Sequence, residues 1–290
     1  MTPRIPVTSL PGVRQLIANA LREDIGSGDA TTIALVPEGA WVSASILARQ
    51  VCVVSGTDVA RAVFRKVDRR LKCITRIPDG GIAKANDAVM TIAGPARGIL
   101  TAERTALNFI QRMSGIATLT RSFVEKVGKT RLRILDTRKT TPCLRVLEKY
   151  AVRCGGGENH RMGLYDRILI KDNHRRFWTG ASDAATLDAA VREARRQFPS
   201  LDVEVEVESE SELRSVLKES PEWVLLDNMS PVQLRRCVRI CAGRAKLEAS
   251  GGITAATIAD VAASGVDAVS LGCLTHSAPA VDLSLEIDPS

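Results

Sequence analysis

From about residue 130 onward one grammar repeats along the chain: a short apolar run ends in a polar or glycine cluster, and a helix-spaced pattern follows. Leu132 to Leu135 ends in Asp136-Thr137-Arg138-Lys139, and Ile168 to Ile170 ends in Lys171-Asp172-Asn173-His174. Val203, Val205 and Val207 alternate with acids, and Val224 to Leu226 ends in Asp227-Asn228. Leu247 to Ala249 ends in Ser250-Gly251-Gly252, and Ala268 to Leu271 in Gly272. Strands that alternate with helices are joined by crossovers, which makes them parallel. Six such runs predict a βα barrel, complete or partial, rather than an open sheet. Thr141-Pro142 and Ser230-Pro231 each set a capping hydroxyl ahead of a proline, which predicts helix starts at both places.

The earlier part of the chain is mixed. Val13, Leu16, Ile17, Ala20 and Leu21 recur at helical spacing and predict an amphipathic helix over 12–23. Glu23 to Asp29 reads as a polar, glycine-punctuated turn. Short β-rich runs follow at Trp41 to Leu47, Val51 to Val54, Cys73 to Ile77 and Ala88 to Ile92. Helical spacing returns over 101–126, as one long helix or as two broken at Ser114-Gly115.

Composition narrows the function classes. The chain has 290 residues, enough for roughly two domains and a large core. No apolar run reaches the ~20 residues of a membrane helix, and the N-terminus lacks a signal-peptide stretch. The seven cysteines therefore read as reduced thiols of a cytoplasmic protein. Cys237 and Cys241 read as packing on one helix face, and no cysteine spacing resembles a zinc site. The net charge of +7 admits nucleic acid, a membrane surface or small anions as partners. Aromatics are only 3% and no basic block or tail occurs, which favours a small anionic substrate over nucleic acid.

In a βα barrel the loops after the strand C-termini share one face and build the active site. Arg138, Lys139, Lys171, Asp227, Gly251 and Gly272 are therefore expected to converge. Adjacent Arg138 and Lys139, flanked by Thr137 and Thr140-Thr141, suit carboxylate or phosphate groups. Gly155-Gly156-Gly157 ahead of Glu158-Asn159-His160-Arg161 either lets backbone approach a ligand or closes the preceding helix. Several cations beside one histidine imply a substrate with more than one negative group. Asp202, Glu204, Glu206 and Glu208 share one strand face, pointing into the barrel if the valines pack under helices. Such carboxylates need partners, and Lys171 and Lys139 are candidates. Glu206 and Asp227 could bind ribose hydroxyls, hold Mg²⁺ or stabilise a cationic transition state. Ser250-Gly251-Gly252 and Gly272 close the last two βα units, where barrels commonly seat a phosphate.

Longer strings carry a resemblance. Glu23 to Asp29, Glu103-Arg104-Thr105-Ala106-Leu107-Asn108-Phe109 and Ser114-Gly115-Ile116-Ala117-Thr118 resemble the quinolinate phosphoribosyltransferase family, the carboxylating nicotinate-nucleotide pyrophosphorylases. So do Asp136 to Pro142, Gly155 to Arg161, Ile170 to His174, Leu226 to Met229, Glu248 to Ile253 and Leu274 to Pro279. The likeness runs in order from about residue 10 to residue 287.

The resemblance implies an N-terminal α/β sandwich domain over 1–115, completed by 276–290, and an incomplete α/β barrel over 116–275. It implies that quinolinate and phosphoribosyl pyrophosphate give nicotinate mononucleotide, pyrophosphate and CO₂ with Mg²⁺. Arg104, Arg138, His160, Arg161 and Lys171 match quinolinate-binding cations of the family, with Thr137 beside them. Lys139, Glu206 and Asp227 match residues that handle the phosphoribosyl donor. Ser250, Gly251, Gly252, Ser270, Leu271 and Gly272 match its phosphate loops. Lys139, Lys171, Glu206 and Asp227 are expected to be catalytic, with Glu206 and Asp227 as Mg²⁺ ligands. The resemblance further implies a homodimer, or a higher oligomer, in which Arg104 enters the neighbouring subunit's site. Two alternatives stand beside this reading: a paralogous phosphoribosyltransferase of the molybdenum-transport-associated type, and a non-catalytic nucleic-acid-binding protein.

Overall fold

The computed structural model describes residues 6–179 and 186–288. Residues 1–5 and 289–290, at the ends of the expected first domain, lie outside the described residues. Along the chain the elements are α1 (Val13–Ile25), α2 (Ala30–Leu35), β1 (Trp41–Ala48), β2 (Cys52–Val53), α3 (Thr57–Val67), β3 (Lys72–Thr75), β4 (Ile82–Ala83), β5 (Ala88–Pro95) and α4 (Ala96–Val127). There follow β6 (Arg133–Leu135), α5 (Arg145–Cys154), β7 (Ile168–Ile170), α6 (Asp172–Thr179), α7 (Leu187–Gln197), β8 (Val203–Val207) and α8 (Glu210–Val216). The last are β9 (Trp223–Asp227), α9 (Pro231–Cys241), β10 (Lys246–Ser250), α10 (Ile258–Ala262), β11 (Ala268–Ser270), α11 (Cys273–His276) and β12 (Leu283–Ile287). No helix among the described residues is long and apolar enough to cross a membrane.

By their contacts the residues form two compact units. The first holds the described residues through Arg121, the segment Thr140–Gly156, and the chain from Cys273 onward; the second holds Ser122–Lys139 and Gly157–Gly272. The segment Thr140–Gly156, expected in the barrel domain, thus groups with the first unit.

The first unit is built on an antiparallel sheet in the order β12-β1-β5-β3, with β2 and β4 forming a separate pair. Ala44, Ile46 and Ala48 of β1 are buried and alternate with more exposed neighbours, as a strand with one covered face requires. The C-terminal strand β12 pairs with β1 from Ala44↔Ile287 to Ala48↔Leu283. Helix α4 is one continuous 32-residue helix with no break at Ser114-Gly115. Gly115 is there for close approach: a Cβ would stand 2.0 Å from the Pro279 carbonyl oxygen.

The helix expected to start at Thr141-Pro142 begins instead at Arg145. Cys143 takes φ +65°, which a helix does not tolerate. Thr141 is drawn away from capping because its N–H and hydroxyl both donate to the Glu148 carboxylate, at 3.1 and 2.9 Å. The glycine triplet is likewise structural in part: Gly155 packs against Ala117 and Thr120 of α4, where a Cβ would meet the Ala117 carbonyl at 2.4 Å. Gly156, at φ +94°, turns the chain out of α5.

The second unit carries the parallel sheet β6-β11-β10-β9-β8-β7. This is the cyclic order of a βα barrel, except that Leu135 of β6 bridges Glu158 on its other edge instead of β7. The barrel is therefore incomplete. In β8 all five residues are buried, with Val203, Val205 and Val207 alternating with Glu204 and Glu206. Asp202 and Glu208 lie outside the strand and are exposed, so only the middle two acids of the expected stripe are enclosed. At the start of α9, Ser230 and Gln233 form a reciprocal capping box with Pro231 in the first turn. Cys237 and Cys241 are buried on one face of that helix.

Candidate active site

Parallel strands end at one edge of their sheet, and in the second unit that edge gathers the polar clusters. Asp136 to Lys139 follow β6 and Lys171 follows β7. Glu206 lies near the end of β8, Asp227 ends β9, Ser250 ends β10, and Ser270 ends β11 ahead of Leu271 and Gly272. The register pairs Ser250 with Asp227 and Ser270 with Leu135, so these ends are level. Arg104 belongs to the first unit and is exposed on α4.

On one side of the edge the chemistry is acidic. Lys171 Nζ donates to Glu206 Oε2 at 2.7 Å, fulfilling one of the two partnerships expected for the buried acids. Asp227 lies on the next strand. Burial first, then the Glu206 charge, holds its carboxyl above the usual range, against the opposing pull of Lys171. The Asn228 side-chain amide donates to Asp227 at 2.7 Å, and the Asn228 N–H donates to the Ser250 carbonyl at 2.9 Å. Gly251 then turns at φ +89°, against Asn228.

On the other side it is cationic. Arg161 is only 9% exposed and donates to the Arg167 carbonyl at 3.1 Å. Burial, and then the charge of neighbouring Arg138, pushes its pKa down. Two neighbouring guanidinium charges favour an anion beside them. Lys139 is exposed, its N–H bound to Thr137 Oγ1 at 3.0 Å.

Between the two sides sits a buried cluster around His160. Asp136 Oδ1 accepts the His160 N–H at 2.8 Å, and Nδ1 accepts the Arg161 N–H at 2.7 Å. Nε2 lies 3.1 Å from Glu204 Oε2 and 3.4 Å from Glu248 Oε2. Arg167 reaches the same Glu204 oxygen at 3.4 Å. Burial by itself disfavours a charged ring, but the hydrogen bonds to Glu204 and Glu248 outweigh it and push the His160 pKa up to about 9. Contacts at both ring nitrogens, the Arg161 N–H at Nδ1 and the two carboxylates at Nε2, fix the orientation of the ring. His160, Glu204 and Glu248 are close enough together to suggest a metal centre. A protonated Nε2 is a donor, however, and makes the trio a hydrogen-bonded cluster. Glu248 and Asp136 were not singled out from the sequence. The signal for Glu248 was its place two residues before Ser250, which puts both on the same strand face.

The family pattern described as "Quinolinate phosphoribosyl transferase, C-terminal domain" matches residues 116–286, and that described as "Quinolinate phosphoribosyl transferase, N-terminal domain" matches 29–114. The chain belongs to the quinolinate phosphoribosyltransferase family. Among relatives, the nicotinate-nucleotide pyrophosphorylase (carboxylating) of Mycobacterium leprae (strain TN) is 43% identical over 280 residues, 94% of this chain and 96% of its own. The probable enzyme of the same name from Bacillus subtilis (strain 168) is 38% identical over 275 residues, 95% of this chain and 93% of its own. Among solved structures, NadC from Streptococcus pyogenes superposes with a TM-score of 0.91 at 37% identity, covering 100% of both chains. The nicotinate-nucleotide pyrophosphorylase from Francisella tularensis gives 0.90 at 37% identity, covering 98% of this chain and 99% of its own. The fold expected of the family, an N-terminal sheet domain and an incomplete α/β barrel, is the fold observed. In this chain the border between the two family patterns falls inside α4, after Ser114, whereas contacts divide the same helix after Arg121.

Proposed function

We propose that the chain transfers a phosphoribosyl group from phosphoribosyl pyrophosphate to quinolinate and releases CO₂, giving nicotinate mononucleotide and pyrophosphate for NAD synthesis. The observation that carries this reading is one strand edge bearing two mutually repelling arginines and, across it, an acid pair with its lysine. Quinolinate brings two carboxylates to the first group. The donor brings a ribose that becomes cationic at its anomeric carbon, beside the second.

Arg138, Arg161 and Lys171, with Arg104, would orient the quinolinate carboxylates, and His160 would hold the Arg161 backbone beneath them. The pyridine nitrogen attacks the anomeric carbon, forming the C–N bond as the C–O bond to pyrophosphate breaks. Glu206 and Asp227 are fixed negative charges in a largely enclosed setting, where they act more strongly than in water on the developing positive carbon. Lys139 would offset the charge of the departing pyrophosphate, with the loops at Ser250 to Gly252 and Ser270 to Gly272 offering N–H groups to phosphate oxygens. The cationic ring nitrogen then stabilises the electron pair left on the adjacent ring carbon when CO₂ departs, and a proton from water forms the new C–H bond there, so positioning supplies much of the rate.

The donor set also fits Mg²⁺. Two carboxylates on adjacent strands, Asp227 raised by burial and then by the Glu206 charge, form the hard oxygen pair that Mg²⁺ would share with substrate phosphates. When bound, the ion would neutralise pyrophosphate oxygens. A cytoplasmic location and a homodimer completing each site with Arg104 from its partner belong to the same proposal. All seven cysteines being free thiols supports a reducing compartment.

Isothermal calorimetry with quinolinate tests the reading. The wild type should bind it and Arg138→Ala should not. Full affinity in the variant would remove Arg138 from the site. A panel of pyridine and other acids, assayed for CO₂ and pyrophosphate release, separates quinolinate from the substrate of a paralogue.

A further inference from the structure

The barrel ladder stops just short of the Lys171–Glu206 pair. Pairing between β7 and β8 ends at Ile170↔Val205, one residue before each member of the pair. Backbone groups beyond a ladder need partners of another kind, and the first turn of α6 supplies two for Lys171. Its N–H donates to His174 Nδ1 at 3.0 Å, and its carbonyl accepts the Arg175 N–H at 3.0 Å. The Arg175 side chain then crosses to the end of β8, where Nη1 donates to the Glu206 carbonyl at 3.4 Å. A single residue therefore touches the backbones of both partners.

Glu212 braces that residue from α8. Arg175 Nη1 donates to Glu212 Oε2 at 3.3 Å, and Nη2 donates to Oε1. Glu212 is the third residue of α8, and its N–H donates to the Ser209 hydroxyl at 3.3 Å. Its Oε2 reaches back past Ser209 to accept the Glu208 N–H at 2.9 Å, so the motif is a capping box stretched by one residue. The strand end is thus gripped on both sides of Val207, at the Glu206 carbonyl by Arg175 and at the Glu208 N–H by Glu212. An ion pair free on a surface makes no such backbone contacts and contributes little; these two side chains are 22% and 29% exposed.

We propose that Arg175, braced by Glu212, is a positioning residue for the phosphoribosyl transfer: it fixes the end of β8 so that the Glu206 carboxylate meets Lys171 and faces the site. Neither Arg175 nor Glu212 reaches the reacting atoms in this arrangement; they act through Glu206. The inference rests on the reading of Glu206 as the acid beside the donor ribose. Replacing the Arg175 side chain leaves its backbone N–H on the Lys171 carbonyl, so the Lys171 side of the pair keeps its hold while the Glu206 side loses its own.

The test reads kcat and quinolinate affinity separately on the full chain. Arg175→Met should lower kcat about tenfold, the low end of what loss of a hydrogen bond to a charged group produces, while calorimetry finds quinolinate affinity within about twofold of wild type. Glu212→Ala should do the same, and the double variant should lose about tenfold rather than the hundredfold product, because both changes release one link. Wild-type kcat with a lowered melting temperature would make the pair a structural ion pair only and overturn the proposal. So would multiplicative losses in the double variant, or a kcat loss matched by loss of quinolinate binding. If Arg175→Met fails to fold, Arg175→Lys decides: it keeps a cation against Glu212 but lacks the two-armed fork, so kcat should still fall, and wild-type kcat there overturns the proposal. Glu206→Gln separates the underlying reading. Unimpaired turnover in that variant removes Glu206 from the chemistry and the proposal with it, whereas an impaired Glu206→Gln beside unimpaired Arg175 variants removes the proposal alone.

Discussion

Gly251→Ala places one methyl group where the structure has no room for it. Gly251 sits at φ +89°, and a Cβ there would stand 2.1 Å from Asn228 Oδ1, 2.6 Å from its Cγ and 3.0 Å from its backbone nitrogen. Two costs combine. A left-handed conformation costs an L-residue about 1–2 kcal/mol, and forcing a packed neighbour aside costs about 1–3 kcal/mol. The sum, about 2–5 kcal/mol, corresponds to a fall in melting temperature of roughly 5–15 °C for a chain of this size. The Asn228 side chain is the part that can yield, and when it yields the 2.7 Å hydrogen bond to Asp227 is lost. A hydrogen bond to a charged group is worth about 1.5–3 kcal/mol, so turnover with phosphoribosyl pyrophosphate should fall about ten- to a hundredfold.

The assay is a double-mutant cycle read by urea unfolding. Asn228 has φ +54°, which glycine tolerates, so Asn228→Gly removes the obstructing side chain without backbone strain. In that background the cost of Gly251→Ala should shrink toward its conformational part, leaving a coupling of at least about 1 kcal/mol. Activity should not return, because the Asp227 partner is gone in both single variants. A Gly251→Ala protein destabilised by less than about 1 kcal/mol, or strict additivity in the cycle, would refute the steric reasoning.

Lys171→Met leaves Glu206 buried without its cation and should reduce turnover at least about a hundredfold, with purified protein still folded by circular dichroism; loss of a buried ion pair's partner costs about 3–5 kcal/mol when enclosure is complete, and less here because Lys171 is half-exposed. Glu148→Ala in the first unit removes the acceptor shared by Arg112 and Thr141 and leaves the partly buried guanidinium with only the Ala278 and Thr275 carbonyls and no countercharge, so differential scanning fluorimetry should report a loss of about 3 kcal/mol. Asp227→Asn should unfold later than wild type at pH 7 while losing activity. The raised folded pKa means that the carboxylate form is disfavoured by folding, so stability falls as pH rises above 3.8 through the folded value. The variant's advantage should vanish as the pH is lowered toward 3.8, and an advantage that grows on acidification would contradict the sign. Arg104→Ala and Lys171→Ala, each inactive alone, should recover part of the activity after subunit exchange in a mixture; no recovery would argue against a site shared across a dimer.

The barrel could be read from the sequence because a parallel strand, covered on both faces, leaves an apolar run that its loop must interrupt. That is why each of the six strands of the second unit overlaps an expected run, β9 and β10 exceeding theirs by one residue at each end, and why their polar ends share an edge. Ser230 was equally readable, since its partner Gln233 is three residues away. Thr141-Pro142 carries the same local signal, and there the signal fails. The competing acceptor, Glu148, is set by the fold, and two hydrogen bonds to a buried carboxylate outweigh one cap. The glycine triplet fails as a ligand signal for a related reason: what Gly155 accommodates is the backbone of α4, distant in sequence. Glu204 and Glu248 mark the limit most sharply. Their strand positions can be read from a period of two, but their protonation depends on one histidine lying between them, and only the folded barrel brings the three together. Local chemistry therefore announces where charges stand on the strand edge, and tertiary structure decides which of the buried ones remain charged.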